Sequence, residues 1–597
     1  MRSSADRHLP LLLQLPLNPS APLEATGNVP LAPAALAAAA DLPVDCLLDQ
    51  SVSDSLGDRA LVSLIKEREP CLVAFTLYMW NAERSAWMAR RLKEALDPVV
   101  IVGGGPEVTP DNDWLRECGS FDLLVSGEGE EVASRVLDPL KVIETAAGTG
   151  GFLRTGEMDF PPGRYPNPWL SGYLDPTSTS VQVETVRGCP GTCSYCAYRR
   201  TSPVPRLMEA SRALELIRRF SGKAEEVVFL DPTFNARPDL DVLLSGMKGT
   251  GLSFFGEMWG DIITPSMAED IHDAGFRSVE IGLQSCSGRV LSLSGRNRDP
   301  ERVLEGAMHL RNAGVTPVLD MILGLPGDTP EEAVRTAMMI RDRALHHHLQ
   351  VFYLSLLPGT VLRTGFRGCW MERPPYFFSC APEMEGYAAA REEIADIAGY
   401  DLDLAARPLL FDGWKGTRTI DLESDAGAGE DMPSYRHGSL RLVGDDLWKC
   451  RESILRHAGN RLKADPFCVL DVVLVPGREF PLDLIEMVRS MEEPQDYSGR
   501  TAGVLGRDGN LRITVLVGDP QKFHMSWLLA ASETCSLAVD RHHPSLMPEE
   551  LWRSGALVRL DGAGWDMAEL SSSVPSMHQV AFRERRMEEA WTRFMDL

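Results

Sequence analysis

Between residues 11 and 363 the chain repeats one pattern: a short unbroken apolar run, a turn rich in glycine or proline, and a segment of helical length and polarity. Near the start, the runs Leu11 to Leu17, Val44 to Leu48, Cys71 to Leu77, Val99 to Val102 and Phe121 to Val125 alternate with the helical segments Pro30 to Ala40, Arg59 to Glu69 and Ala82 to Leu96. A strand that is apolar on both faces must be covered on both, and strands separated by helices run parallel. The pattern predicts a doubly wound parallel sheet, with ligands bound beyond the carboxyl ends of its strands. From residue 181 the pattern resumes with roughly thirty residues per unit. Its strands are VQVETV (181–186), EEVVFLDPTFNARPD (225–239), LSFFGEMWGDIIT (252–264), RSVEIGLQSC (277–286), TPVLDMILGLPGDTPEE (316–332) and LQVFYLSLLPGTVLR (349–363). Six such units predict an open, partial barrel whose site lies at the carboxyl ends of the strands. The segment Pro161 to Pro176, rich in proline and glycine, marks the boundary between the two series.

The carboxyl ends in the first series have an uncommon composition. LNPSAP follows the first strand, TLYMWN (76–81) the third, GGGPEVTP (103–110) the fourth and SGEGEE (126–131) the fifth. Glycine there lets a backbone approach a ligand closely. A single glycine-rich loop is also what a tight turn looks like, so the weight rests on the ordered set.

Of twelve cysteines, nine are scattered singly, and a buried inert thiol is the ordinary reading for them. The other three, Cys189, Cys193 and Cys196, follow the strand 181–186 in a C-x3-C-x2-C array whose thiolates can converge. Soft thiolates suit an iron–sulfur cluster or zinc, but structural zinc closes its tetrahedron with four protein ligands. No fourth candidate stands nearby, and three thiolates on a cubane leave one iron open.

Charge narrows the ligands. Sixty basic against eighty-five acidic residues give a net charge of −25, which repels a phosphate backbone, so nucleic acid is not an expected partner. The short basic groups Arg199-Arg200 and Arg583-Arg585-Arg586 read as solvated faces or salt-bridge partners. The early apolar run His8 to Leu17 is broken by Pro10, Gln14 and Pro16 and falls short of the roughly 20 residues a membrane span requires. No small-residue cleavage motif follows it, so it reads as a buried strand, and the expected location is the cytoplasm.

Together, the cysteine array and the strand tails of residues 180 to 365 resemble the radical-SAM superfamily, and the loops before them resemble the cobalamin-binding domain that precedes many of its members. The resemblance implies three cofactors: a 4Fe-4S cluster on Cys189, Cys193 and Cys196, S-adenosyl-L-methionine (SAM), and cobalamin. It implies corrin contacts at Thr76, Tyr78, Trp80, Asn81, Gly104, Gly105, Glu107, Gly127 and Glu128. It further implies Asp231 and Asn235 near the methionine end of SAM, Glu257 near the ribose, Gln284 and Ser285 beside the sulfonium, and Leu323 to Pro326 near the adenine. Tyr195 and Tyr198 pack against cluster and adenine, or simply in the core.

Two departures matter. The loop LNPSAPLEATGN after the first strand has no histidine, so cobalt is expected to be bound His-off. The position two after Glu257, commonly Arg in relatives, is Trp259, which signals either a different SAM pose or a packing substitution. With that cation gone, Glu257 or Glu280 could turn a carboxylate toward the open iron, leaving SAM as methyl donor alone.

The expected architecture is therefore α/β: a Rossmann-like cobalamin-binding domain (1–145), a linker (146–180), a partial (βα)6 barrel (181–385) and a C-terminal α/β or α+β domain (386–597) for substrate recognition. The expected activity is cobalamin-dependent C-methylation of a small molecule. Within the family the layout resembles the tryptophan 2-C-methyltransferases of thiopeptide biosynthesis, and an electron donor such as flavodoxin or ferredoxin is implied. Radical methylation of an sp3 carbon and a non-methylating rearrangement or cyclisation are the alternatives. The histidines 346–348 and 542–543 read as solvated loops or helix ends.

Overall fold

The computed structural model describes residues 9–17, 28–156, 161–176, 180–198, 204–378, 383–400, 402, 407–424, 433–491, 497–505, 509–562 and 564–595. It forms two compact units. The first comprises residues 1–14, 29–48 and 69–403, and the second residues 15–28, 49–68 and 404–597.

In the first unit, β1 (Leu11–Leu13), β2 (Leu72–Thr76), β3 (Val100–Gly104), β4 (Leu123–Ser126) and β5 (Phe152–Arg154) make a parallel sheet in that order. The segment expected as a strand at 44–48 is a single 3-10 turn, Val44–Cys46, followed by one parallel bridge from Leu47 to Leu12. Pro43 and Asp45 suit that turn better than a ladder. With Leu47 on the far side of β1, the winding direction reverses between β1 and β2, which is where such sheets hold ligands. β5 extends this sheet to residue 154, beyond the expected boundary at 145.

The barrel follows. β6 (Ser180–Val183) leads to a short antiparallel pair, β7 (Val186–Arg187) with β8 (Arg206–Leu207), which brackets the cysteine loop. β9 (Glu226–Phe229) and β10 (Ser253–Phe255) complete one three-stranded sheet; β11 (Ser278–Gln284), β12 (Thr316–Leu323) and β13 (Leu349–Tyr353) form another. Parallel bridges Phe254–Phe276 and Glu257–Glu280 join them, so six parallel strands run in chain order as expected. The intervening helices start on strong signals. Thr264, Asp299 and Thr329 each accept a hydrogen bond from a first-turn amide, and a proline follows each. Helix Glu383–Ala398 packs on helix Pro330–Asp342 and belongs to the barrel's outer layer.

The second unit is α/β with an entirely parallel sheet: β14 (Thr417–Asp421), β15 (His437–Gly444), β16 (Val469–Pro476), β17 (Leu511–Val517), β18 (Ser536–Arg541), β19 (Leu557–Leu560) and β20 (Val580–Phe582), in strict chain order. Side chains alternate between its faces. Leu440, Leu442, Val472, Leu474, Ile513 and Val515 pack under helices. His437, Ser439, Arg441, Asp471, Arg512 and Thr514 occupy the other face and are buried by the strap 407–412. The helix Asp58–Arg68 is formed as expected, but it belongs to this unit: Asp58 accepts from the Phe467 amide, and the Arg59 amide donates to Asp465. Among the described residues no helix is long and apolar enough to cross a membrane.

Candidate cofactor and active site

The barrel's strand ends enclose a cavity of about 300 Å³ lined by Cys189, Cys193, Cys196, Tyr195, Tyr198, Glu257, Trp259, Gln284, Arg296, Arg298 and Asp320, among others. All three cysteines of the array therefore converge, as their spacing requires. Burial pushes the Cys196 thiol up to about 11 and also raises Cys189. Such thiols are protonated at neutral pH unless a strong positive charge takes them as thiolates, which is what iron does. The loop already offers the N–H···S contacts that clusters use: the Gly191 amide donates to Cys189 Sγ at 3.3 Å and Arg296 Nη1 to Cys193 Sγ at 3.7 Å. Three sulfurs, two such donors and a nearby carboxylate without a cation fit a three-thiolate cluster.

That carboxylate is Glu257. Burial first, then the neighbouring Glu280 and Asp231, push it up to about 7, and no side chain among the described residues hydrogen-bonds it. Glu280 lies beside Asp320, and burial raises both members of this pair. Asp320 lines the cavity, and its Oδ1 is buried without a partner. A charged residue inside the apolar strand TPVLDMIL was the available signal for it.

Gln284 reaches the cavity through a backbone device. The β11–β12 register breaks between Gly282 and Gln284, and Gln284 takes φ 70°, a left-handed value rare outside glycine. A Cβ on Gly282 would stand 2.5 Å from Gln284 Nε2, so the side chain as placed folds back over the space that glycine leaves. Ser285 is buried and accepts from the Ser287 amide; Leu323 is fully buried at the end of β12.

Other predicted residues hold the wall rather than line it. Asp231 is fully buried, accepts from the Thr185 and Val186 amides at 2.6 and 2.8 Å, and is pushed up to about 7 by burial. Asn235 clamps the Trp259 backbone, donating to its carbonyl at 3.0 Å and accepting from its amide at 2.9 Å. The cation absent from position 259 arrives from another loop. Arg298 lies 3.4 Å over the Trp259 ring, anchored on Asp261 at 2.8 Å. Tyr195, half-buried on the cavity wall beside Cys193 and Arg296, has its pKa raised by desolvation.

On the cobalamin side, Thr76 closes β2, and Tyr78 and Trp80 stack in parallel with ring centroids 4.5 Å apart. Asn81 is fully buried and accepts from the Tyr78 amide. The glycines divide. Gly105 (φ 112°) would bring a Cβ to 2.8 Å from the Leu77 carbonyl, and Gly127 (φ 98°) would bring one against Thr155. A Cβ on Gly104 would meet only the Val125 carbonyl at 3.8 Å, so its face at the strand ends stays open for a ligand. Glu107 is buried and accepts from Asn112 and from the Tyr376 hydroxyl. Glu128 is ion-paired with Arg187 and Arg206. The loop behind the His-off expectation, residues 18–27, lies outside the described residues, as do Arg199 and Arg200.

Residues 183–340 match the Radical SAM superfamily and residues 30–137 the B12 binding domain. The chain thus carries a B12 binding domain followed by a Radical SAM domain, and it is an enzyme. Its cofactors are a 4Fe-4S cluster, SAM and cobalamin. An uncharacterized methyltransferase of Pyrococcus horikoshii is 25% identical over 59% of this chain and 82% of its own length. The 2-(S-pantetheinyl)-carbapenam-3-carboxylate methyltransferase of Streptantibioticus cattleyicolor is 26% identical, and the cobalamin-dependent radical SAM methyltransferase TokK of Streptomyces tokunonensis is 27% identical. Each of these two matches covers 50% of this chain and 48% of the relative, so this chain spans about half of their length. Among solved structures, TsrM from Kitasatospora setae superposes with a TM-score of 0.49 at 15% identity, over 65% of this chain and 88% of that one.

Proposed function

We propose that this enzyme moves the methyl group of SAM, by way of cobalamin, to a carbon of a small molecule, and that C2 of tryptophan in a natural-product pathway is the first acceptor to test. The observation that carries the reading is the direct contact between the loop after β4 in the B12 binding domain and the strand pair β7–β8 that brackets the cluster loop, made by Arg187 and Arg206 on Glu128. The two cofactor-holding elements thus share one unit, and relatives of this chain are named methyltransferases.

When bound, cobalamin supplies a nucleophilic cobalt able to accept a methyl group from SAM, and the cluster supplies electrons. This chain's residues supply the rest. Glu257 faces the three cysteines without a cation of its own, which favours a role at the open iron and SAM as methyl donor alone. Methylation of an aromatic carbon releases a proton, and the Asp320–Glu280 pair, with one carboxylate still ionised, is the acceptor on the wall. Burial favours that pair holding one proton between them. Asn235, Trp259 and Arg298 fix the opposite wall. The electron donor is of flavodoxin or ferredoxin type.

The test is incubation of reconstituted enzyme with SAM labelled in its methyl group and a panel of aromatic amino acids. Label in tryptophan that depends on cobalamin supports the reading. Label in another acceptor overturns the tryptophan assignment, and label in none, or label independent of cobalamin, overturns methyl transfer by this route.

A further inference from the structure

Arg187 stands two residues before Cys189, where β7 enters the cluster loop. Its guanidinium reaches three carboxylates. Nη1 donates to Glu128 Oε2 and to Glu130 Oε1, both at 2.8 Å, while Nε and Nη2 donate to Glu184 at 2.8 and 2.6 Å. Arg206, the register partner of Arg187 on β8, donates to both Glu128 oxygens, through Nη1 at 3.2 Å and through Nη2. The side chains of Glu128 and Arg206 are each only 10% exposed, so solvent does little to screen this network.

Two cations thus meet three anions between the cofactor loops. Glu128 and Glu130 follow β4 in the B12 binding domain. Glu184 follows β6, and its field also reaches Tyr78 on the cobalamin side and Tyr198 and Asp231 on the SAM side. A forked guanidinium can bridge separate carboxylates in fixed geometry, which a lysine cannot do. Removing it leaves the half-buried Glu130 and Glu184 without this cation and Glu128 with Arg206 alone.

We propose that Arg187 is a positioning residue that locks the loop after β4 to the cluster loop, so that the cluster and cobalamin each help to seat the other. A ligand that orders one loop lowers the entropic cost of ordering the loop tied to it, and the effect is reciprocal. The lock does not depend on which acceptor is methylated or on whether methyl transfer occurs.

The experiment measures hydroxocobalamin affinity by equilibrium dialysis on the full chain, with and without the reconstituted cluster, for wild type and Arg187→Gln. The cluster should tighten cobalamin about tenfold in wild type, within the usual range of such couplings. In Arg187→Gln, at equal iron content, that factor should fall below about twofold. Glu130→Gln, which removes one partner and leaves the arginine in place, should give an intermediate factor and reads the same lock if Arg187→Gln does not fold. Equal factors in wild type and the variants, or no effect of the cluster in wild type, would overturn the proposal.

Discussion

The five-stranded sheet of the first unit and the seven-stranded sheet of the second are both wholly parallel, yet they put their polar residues in opposite places. In the first, the strands are apolar and polarity gathers in loops at the carboxyl ends, around Gly104, Glu107 and Glu128. In the second, polar side chains stand on the sheet face and are consumed by the chain itself. Asp471 accepts from the Leu409 amide, Ser439 donates to its carbonyl, and Arg441 and Arg559 donate to the carbonyls of 410 and 411. Parallel topology alone therefore does not announce a ligand site. What distinguishes the two is where the polar groups stand: at the strand ends, where Gly104 leaves a face open, or on the sheet face, where they hold a strap.

Substitution should separate these roles. The largest expected effect is at the cysteines. Wild type should hold about four irons after anaerobic reconstitution, and the combined Cys189/Cys193/Cys196→Ala variant should hold none. Iron analysis and the visible chromophore check this, and retained iron would break the assignment.

Next comes the strap. His437 and Asp471 form a buried contact at 2.5 Å, so Asp471→Ala strands the histidine and the Leu409 amide. A cost of about 1–3 kcal/mol for each donor left without its acceptor is expected in denaturant unfolding. Iron and cobalamin content should be unchanged. A loss of cofactor with stability preserved would give this face a role in ligand binding.

The comparison also explains what was readable in advance. Cys189 to Cys196 were legible from their spacing and the strand-end loops from their order, whereas Gln284 was legible only through the family resemblance. The strap was not legible: Arg407 to Asp412 meets β15 to β19 only through tertiary contacts, and no local period marks it. Residues 49–68 show the same limit, since their helix was readable and their membership of the second unit was not. Arg298 was also missed, because it supplies from a different loop the cation that position 259 lacks.

A smaller effect concerns Asp231, held at about 7 by burial against about 3.8 in the unfolded chain. Between those values only the folded state holds the proton, so this group's stabilisation is complete below about 4 and is lost as pH rises through about 7. Cofactor-free wild type should lose on the order of a few kcal/mol across that window. Asp231→Asn should make the profile less steep, the remaining slope coming from Glu257, Glu280 and Asp320. Unfolding midpoints measured at several pH values decide it, and a stability that rises over the same window would contradict the buried, protonated carboxyl.

Smallest in stability is Gly104→Ala, where a Cβ meets little protein. Unfolding should move by about 0.5 kcal/mol or less, as for a substitution away from packed contacts, while cobalamin affinity falls. At Gly105 the same change meets the Leu77 carbonyl at a positive φ and should destabilise the fold first.

The most direct test of the account is a count of both SAM products during turnover with tryptophan. With Glu257 at the open iron and SAM as methyl donor alone, one S-adenosylhomocysteine should form per methylated product, with no stoichiometric 5′-deoxyadenosine. One 5′-deoxyadenosine per product would contradict that role for Glu257 and move the target to an sp3 carbon.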